Sequence, residues 1–441
     1  MKAIFPLVML GLSLTQGTAQ AVDASQVQSF TLKNGMKVLV LEDNSIPNAN
    51  SYLFWKVGSR NEVPGITGIS HFFEHMMFNG AKKYGPKMFD RTMEAAGGAN
   101  NAYTTEDITV YTNWFPASAL ETIFDLEADR IAHLDINAKM VESERGVVAS
   151  ERTTGLENSN FQVVHEQLKG IAFQAHPYRW SVIGHESDIQ AWTLQDLKQY
   201  HKTYYAPNNG VLVVTGAVTR AEVKKLASQY MEPIPAQPEP AKVRTVEPVQ
   251  VGERRTYVQK ASVTSPTILL GYHTPASSHA DYYALDMLAS ILAQGESSRL
   301  FKALVDKEIA LEVYAEQPQS FDPNLFYVYA NGSSGVSAAQ LEKALIQEIN
   351  QIAKAGVTAQ ELDKVRNFKL MEFYRQMETI NGKANMLGTY ELYFGSYKRL
   401  FQAPDFYNKV TAADIQRVAQ TYLKKSNRSV AVLDAKEDKD L

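Results

Sequence analysis

The sequence contains no cysteine. Its 441 residues therefore form no disulfide bond, and neither a thiolate metal ligand nor a cysteine nucleophile contributes to its chemistry. The net charge of −4 gives no general reason to expect nucleic-acid binding. No run of about 18 apolar residues is present, so we predict no membrane span. What is present is an ordinary globular balance, with 45% hydrophobic and 21% charged residues.

The first 21 residues differ from the rest of the chain. Lys2 gives a positive start, residues 4–14 are apolar but too few to cross a bilayer, and Ala-Gln-Ala at 19–21 has the form of a cleavage site. This pattern predicts a signal peptide at 1–21, with a short N-terminal core segment as the alternative. Since no cysteine follows for a lipid anchor, we expect a periplasmic protein, and secretion from another cell type stays open.

The length predicts more than one domain. A proline-rich polar stretch, MEPIPAQPEPAKVRTVEPVQ, covers residues 231–250, and such a composition is incompatible with a helix or a central strand. We therefore predict an extended linker at 236–250 that joins an N-terminal domain at 22–235 to a C-terminal domain at 251–441.

The two domains resemble copies of each other. TLQDLKQYHKTYYAPNNGVLVV, from Thr193, aligns with TAADIQRVAQTYLKKSNRSVAV, from Thr411, and each segment predicts a threonine-capped helix, a polar turn and an apolar strand. A weaker match places HFFEHMMFNG, residues 71–80, over DMLASILAQG, residues 286–295. The alternative for this second match is a chance likeness between two amphipathic helices. The mixed order of strands and helices predicts an α+β fold.

The histidines of GITGISHFFEHMMFNG are the strongest chemical signal. The pattern predicts a helix over 68–78, in which residues four apart share a face, so His71 and His75 present two imidazoles to one point. This separation suits two ligands of a tetrahedral zinc ion, and Glu74 lies beside them within reach of a water molecule at the metal. H-x-x-E-H is the reverse of the common zinc-protease motif. The alternative is two half-buried histidines on an amphipathic helix.

A third ligand is needed, and it should be an acid or a histidine from a nearby element. The run KMVESERGVVASERTTGLENS, residues 139–159, predicts a helix on which Glu144 and Glu151 are seven residues apart and therefore share a stripe. From these residues alone, a merely solvated acidic face is the favoured reading.

Together, His71-Phe72-Phe73-Glu74-His75 and the later Glu144 and Glu151 resemble the insulinase/pitrilysin family of inverted zinc metallopeptidases. GGANNAYTTEDITVYTNW, from Gly97, resembles the edge strand of that family. The resemblance covers most of the chain and is to the short two-domain type, like mitochondrial processing peptidase subunits and bacterial periplasmic relatives. It implies two homologous α/β-sandwich domains, each a mostly antiparallel sheet flanked by helices, that form a half-clamshell.

The resemblance also implies the roles of the site residues. His71, His75 and Glu151 would bind one Zn²⁺ per chain, Glu74 would act as general base and acid, and Glu144 would support the site by receiving the second N–H of a ligand histidine. The N-terminal domain would be the zinc-bearing peptidase domain, and the C-terminal domain would lack metal ligands.

Substrate binding follows from the same resemblance. Residues 101–111 read as one strand, and in the family a substrate adds to this edge, nearest the scissile bond at Asn101 and Ala102. Extended peptides or unfolded polypeptides would fit this mode. The alternative is an ordinary edge strand with Asn101 in a turn.

One feature of the family is missing. Active members take an arginine and a tyrosine, seven residues apart, from a companion half, but the matching positions here hold Val305 and Glu312. Arg299 and Tyr314 are near but wrongly spaced, although an alignment shifted by two residues would let Tyr314 serve. We therefore expect a hetero-oligomer in which a related subunit supplies the pair. A non-catalytic assembly subunit of the same ancestry and another zinc hydrolase, such as an amidase, are the alternatives.

Overall fold

The computed structural model describes residues 23–435, so the predicted signal peptide lies outside the described residues. The strands of the first half are Gln28–Thr31 (β1), Lys37–Glu42 (β2), Asn48–Trp55 (β3), Ala99–Thr104 (β4), Thr109–Pro116 (β5) and Gly210–Gly216 (β6). Its helices are Ile69–Met76 (α1), Met88–Ala95 (α2), Leu120–His133 (α3), Ala138–Asn158 (α4), Asn160–Ala172 (α5), Glu186–Ala191 (α6), Leu194–Tyr204 (α7) and Arg220–Leu226 (α8).

The second half repeats this mixture. Its strands are Arg254–Lys260 (β7), Thr267–Thr274 (β8), Ala310–Glu316 (β9), Asn324–Gly332 (β10) and Arg428–Ala435 (β11). Its helices are Tyr282–Ala293 (α9), Ala338–Ala355 (α10), Ala359–Glu378 (α11), Ile380–Tyr393 (α12), Ala403–Lys409 (α13) and Ala412–Tyr422 (α14). Within residues 23–435, no helix is both long enough and apolar enough to span a bilayer.

Each half is built on one sheet. The strand order is β1-β2-β6-β3-β5-β4 in the first sheet and β7-β11-β8-β10-β9 in the second. Neighbouring strands are antiparallel except for the parallel pairs β2–β6 and β7–β11, which occupy equivalent places. The predicted fold class, α+β with two similar and mostly antiparallel sheets, is confirmed.

The internal repeat is visible in single hydrogen bonds. Thr193 and Thr411 begin α7 and α14, and the hydroxyl of each accepts a hydrogen bond from the backbone N–H three residues later. Asn209 and Asn427 each donate a 2.8 Å hydrogen bond to the backbone carbonyl five residues earlier. The same residue types therefore make the same hydrogen bonds near the end of each of the two copies.

One helix of each half packs on the sheet of the other half. Helix α5 of the first half packs on the second sheet, against β7, β8 and β11, while α12 of the second half packs on β3 and β6 of the first sheet. Leu387 of α12 is fully buried in one core with Phe54 and Val213 of the first sheet. A Cβ added at Gly388 would lie 2.0 Å from the Phe54 ring, so glycine is required where α12 crosses β3. Each sheet is thus covered partly by the other half.

Residues 236–250 contain neither helix nor strand, as the proline-rich composition predicts. This stretch is held against the folded halves: Glu247 accepts hydrogen bonds from the backbone N–H groups of residues 174–176, and Gln250 donates to the carbonyl of Arg428. The division into domains at 235 and 251 stays a prediction.

The single strand predicted over 101–111 is wrong. The structure has two strands, β4 and β5, joined by a turn at 105–108. The cause is Thr105, whose hydroxyl accepts hydrogen bonds from the backbone N–H groups of Asp107 and Ile108, both at 3.1 Å. This local bonding reverses the chain and makes β4 the outer strand of its sheet.

Candidate metal centre

Helix α1 is fixed at its start by a buried acid. Gly68 has φ +86°, and the helix begins at Ile69, one residue later than predicted. The Glu62 carboxylate accepts hydrogen bonds from the backbone N–H groups of Gly68 and Ser70, both at 2.8 Å, and so satisfies donors that a helix start leaves unpaired. Phe72, Phe73 and Met76 are fully buried on the opposite face, which turns the polar residues of α1 toward α4.

The two predicted histidines and Glu151 come together. His75 Nε2 lies 3.5 Å from one Glu151 carboxylate oxygen, and His71 Nε2 lies 3.8 Å from the other. The ligand atoms of all three residues lie within 4.8 Å of one another. Glu151 is half exposed, so the group faces solvent on one side.

These distances fit a zinc ion. Two donors about 2.1 Å from a tetrahedral zinc lie about 3.4 Å apart, close to the observed 3.5 and 3.8 Å. The same distances are long for hydrogen bonds between an imidazole and a carboxylate. Two imidazoles and one carboxylate are also a usual donor set for a catalytic zinc, which keeps a further position open.

Glu144 orients His75. The Nδ1–H of His75 donates a 2.8 Å hydrogen bond to Glu144, and the other Glu144 oxygen accepts a 2.6 Å hydrogen bond from Asn79. Because Nδ1 is engaged, Nε2 is the atom left for a metal. This hydrogen bond is the contact that the predicted role of Glu144, to orient a ligand histidine, requires. Asn79, whose position at the end of the motif is its only sequence signal, was missed.

The ring of His71 is held differently. Its Nδ1 is buried and has no hydrogen-bond partner in residues 23–435, so packing alone sets its orientation. Burial, and then the neighbouring His75, lower the pKa of His71 to about 4, which keeps this imidazole neutral at pH 7. Burial acts to lower the pKa of His75 too, but the hydrogen bond to Glu144 and the surrounding carboxylates outweigh it and raise that pKa.

Glu74 lines a cleft together with the ligand residue His75. The cleft has a volume of about 390 Å³, and its lining includes Glu74, Asn101 and Ala102, so the predicted base and the predicted substrate-binding residues share one space. Burial raises the pKa of Glu74, although contacts with Thr104 of β4 oppose the shift. Asp90 and Asn100, which the sequence interpretation missed, also line it, and Asn100 donates a 3.0 Å hydrogen bond to Asp90.

Strand β4 ends the first sheet among the described residues. Its only strand neighbour is β5, so the other edge of β4, beside the cleft, has no strand partner within residues 23–435. An unpaired edge offers backbone N–H and carbonyl groups to an added strand.

The segment in which the arginine and tyrosine pair is expected lies in the second half. Arg299 is paired with Glu361 at 2.6 Å and donates to the carbonyl of Gly356. Tyr314 lies on β9, the outer strand of the second sheet, and Glu312, at one of the two expected positions, lies on the same strand. Arg299 and Tyr314 are the arginine and tyrosine of residues 298–315, and they stand 15 positions apart (314 − 299) where the family pattern expects seven.

Comparisons with known proteins agree with this picture. A family model described as "Insulinase (Peptidase family M16)" matches residues 37–186, and one described as "Peptidase M16 inactive domain" matches residues 191–368. The "Zinc protease PqqE" of Helicobacter pylori is 32% identical over 410 residues, which are 92% of each chain. The "Uncharacterized zinc protease YmxG" of Bacillus subtilis is 25% identical over 394 residues, 89% of this chain and 94% of that one. The crystal structure of a protease from Helicobacter pylori superposes with a TM-score of 0.90 at 32% identity, and covers 92% of this chain and 99% of that chain.

Proposed function

The chain belongs to the insulinase family of peptidases, M16, and on that premise we propose that it is a zinc-dependent endopeptidase acting on extended peptides or unfolded polypeptides. The observation that carries the proposal is the convergence of His71, His75 and Glu151, because His75 also lines the cleft that holds Glu74. One Zn²⁺ per chain would be bound by these two histidines and Glu151.

In this proposal, the zinc ion, Glu74 and Glu144 each have one role in peptide hydrolysis. Bound zinc would polarise the peptide carbonyl and lower the pKa of a water molecule. Glu74 takes the proton of the attacking water and then delivers it to the leaving amine. Glu144 keeps His75 in the tautomer and orientation that leave Nε2 for the metal.

The substrate would bind as an additional strand along β4. Its backbone would pair with the outer edge of β4 at Asn101 and Ala102, which places the peptide across the cleft beside Glu74. A folded substrate cannot offer an extended strand of this kind, so the mode selects peptides and unfolded chains.

Catalysis would also need a second subunit. Arg299 is engaged with Glu361, and Val305 and Glu312 stand at the positions of the family's arginine and tyrosine. A homodimer would repeat the same lack. We therefore include in the proposal a related subunit that supplies the pair, and a periplasmic location that follows from the leader-like residues 1–21.

A second candidate is a non-catalytic assembly subunit of the same ancestry. The missing arginine and tyrosine favour it. Against it stands the presence of every residue needed to bind the metal and move the proton, in a geometry that fits both tasks.

Hydrolysis of a quenched peptide tests the proposal. The zinc-loaded chain with its partner subunit should cleave the peptide, and the chain alone should cleave it poorly. Glu74→Gln should keep zinc and lose about 10²- to 10⁴-fold in rate, because the general base is gone. Glu142→Gln, a change on an exposed side chain of α4, is the matched control and should behave as wild type. Wild-type rates in Glu74→Gln would contradict the mechanism.

A further inference from the structure

A polar cavity of about 300 Å³ lies in the second half, between α9, α11 and α12. Asp286 of α9 and Lys369 and Glu372 of α11 line it, and Asn385 of α12 forms part of its rim. The weaker of the two repeat matches places Asp286 over His71.

Its charges are not balanced. Lys369 donates a 2.9 Å hydrogen bond to one oxygen of Asp286, and Tyr407 donates a 2.7 Å hydrogen bond to the other. The negative charge of Asp286 is thus balanced by Lys369 inside the cavity. Glu372 lies 3.9 Å from Lys369, is about one third exposed and makes no hydrogen bond in residues 23–435. The cavity holds a net charge of −1, and the Glu372 carboxylate has one long ionic contact, with the Lys369 that already pairs with Asp286.

The cavity adjoins the strand on which a substrate would bind. The Tyr103 hydroxyl of β4 donates a 3.3 Å hydrogen bond to Asn385. Successive side chains of a strand point to opposite faces of the sheet, so Tyr103 lies on the face opposite to Thr104 and Ala102, which lie toward α1. A peptide paired with β4 would alternate in the same way, and every second side chain would point toward α12.

We propose that this cavity is a subsite for a cationic side chain, lysine or arginine, of a peptide bound along β4. This inference rests on the proposed function and narrows its substrate class. An ammonium or guanidinium group would pair with Glu372 and restore neutrality. An acidic side chain would be repelled by the Glu372 carboxylate, and an apolar one would displace water from polar groups without replacing their hydrogen bonds.

Peptide binding tests the subsite without relying on turnover. The zinc-loaded Glu74→Gln chain is titrated with fluorescein-labelled neutral peptides in which one lysine is moved through successive positions, and fluorescence anisotropy gives the dissociation constants. We expect lysine to improve affinity about fivefold at positions that face α12 and to have no effect at their neighbours, as a partly exposed ion pair allows.

Charge changes at Glu372 identify the partner. Glu372→Gln should remove the lysine preference, and Glu372→Lys should replace it with a preference for glutamate. Glu348→Gln, on α10 away from the cavity, is the control and should keep the lysine preference. Thermal unfolding checks that each variant is folded.

The outcomes separate the two claims. Peptides that bind equally well wherever lysine stands, or a lysine preference that survives Glu372→Gln, would overturn the subsite while hydrolysis by the wild-type chain still supported the peptidase. Absence of hydrolysis combined with a Glu372-dependent lysine preference would overturn the peptidase and leave the subsite as a peptide-binding site. Absence of all peptide binding would overturn the subsite.

Discussion

At the scale of residues, the metal centre depends on a short chain of hydrogen bonds behind His75. Glu144 accepts from His75 and from Asn79, so this carboxylate both orients the imidazole and increases its basicity as a ligand. His71 has no such support, since its Nδ1 is buried without a partner in the described chain. The two histidines are therefore unequal ligands, and affinity should depend on Glu144.

Glu144→Gln should weaken zinc binding about 10- to 100-fold, because the neutral amide no longer increases the basicity of the His75 ring. Competition with a chromophoric chelator measures the affinity. Glu142→Gln, two residues away on the exposed side of α4, should leave it unchanged. Equal zinc affinity in Glu144→Gln and wild type would show that Glu144 does not act through His75.

The site residues that could be predicted from the sequence alone are those that lie close together along the chain. The helical period alone placed His71, Glu74 and His75 on neighbouring positions of one turn. Glu151 required the family resemblance, because an acidic stripe 76 residues later carries no signal of its own. Glu62 and Asn79 were missed: their partners are set by how α1 meets its surroundings in the folded chain, and the sequence does not show that contact.

At the scale of elements, α1 is held in register by the carboxylate at its start. Glu62 is almost fully buried and bonds the backbone N–H groups of Gly68 and Ser70, just before His71. The φ of +86° at Gly68 and the 2.4 Å separation between a Cβ added there and the Ile183 carbonyl oxygen fix the entry of the chain into the helix.

Glu62→Ala should lower the free energy of unfolding by about 1–3 kcal/mol, because it leaves buried N–H groups without acceptors. Urea denaturation measures this loss, and chelator competition should show weaker zinc binding in the same variant. Glu186→Ala, at the exposed first residue of α6, is the control and should change neither quantity. An unchanged midpoint for Glu62→Ala would contradict the role of this cap.

Helices and strands were predicted well where capping or turn residues mark their ends. Thr193 and Thr411 mark helix starts that the structure reproduces. The continuous strand over 101–111 failed because the side chain of Thr105 bonds the backbone of Asp107 and Ile108 and turns the chain at 105–108.

At the scale of the whole molecule, the exchange of α5 and α12 makes the two halves interdependent. Leu387 of α12 is fully buried against the first sheet, so part of the first half's core belongs to the second half. Helix α12 has no clear apolar stripe in its sequence, so the sequence does not show which sheet covers it. Two similar halves could therefore be predicted from the repeat, but the packing of each half on the other's sheet could not.

Leu387→Ala should lower the free energy of unfolding by about 2–5 kcal/mol, since it opens a cavity in this shared core. All four tryptophans lie in the first half, at positions 55, 114, 180 and 192, so their fluorescence reports that half alone. We expect the fluorescence transition and the far-UV circular dichroism transition to shift together. Leu392→Ala, on the same helix but half-buried, should cost less.

Independent halves would give the opposite result. The fluorescence transition would keep its wild-type midpoint in Leu387→Ala, while circular dichroism showed an earlier loss of part of the helix signal.

Anomalous diffraction at the zinc edge, from crystals of the zinc-loaded chain, tests the central claim most directly. The account predicts one peak per chain, about 2.0–2.2 Å from His71 Nε2, His75 Nε2 and a carboxylate oxygen of Glu151. The same measurement on His71→Ala should show this peak strongly reduced or lost. Zinc bound elsewhere, or no peak among these three residues in the wild-type chain, would contradict it.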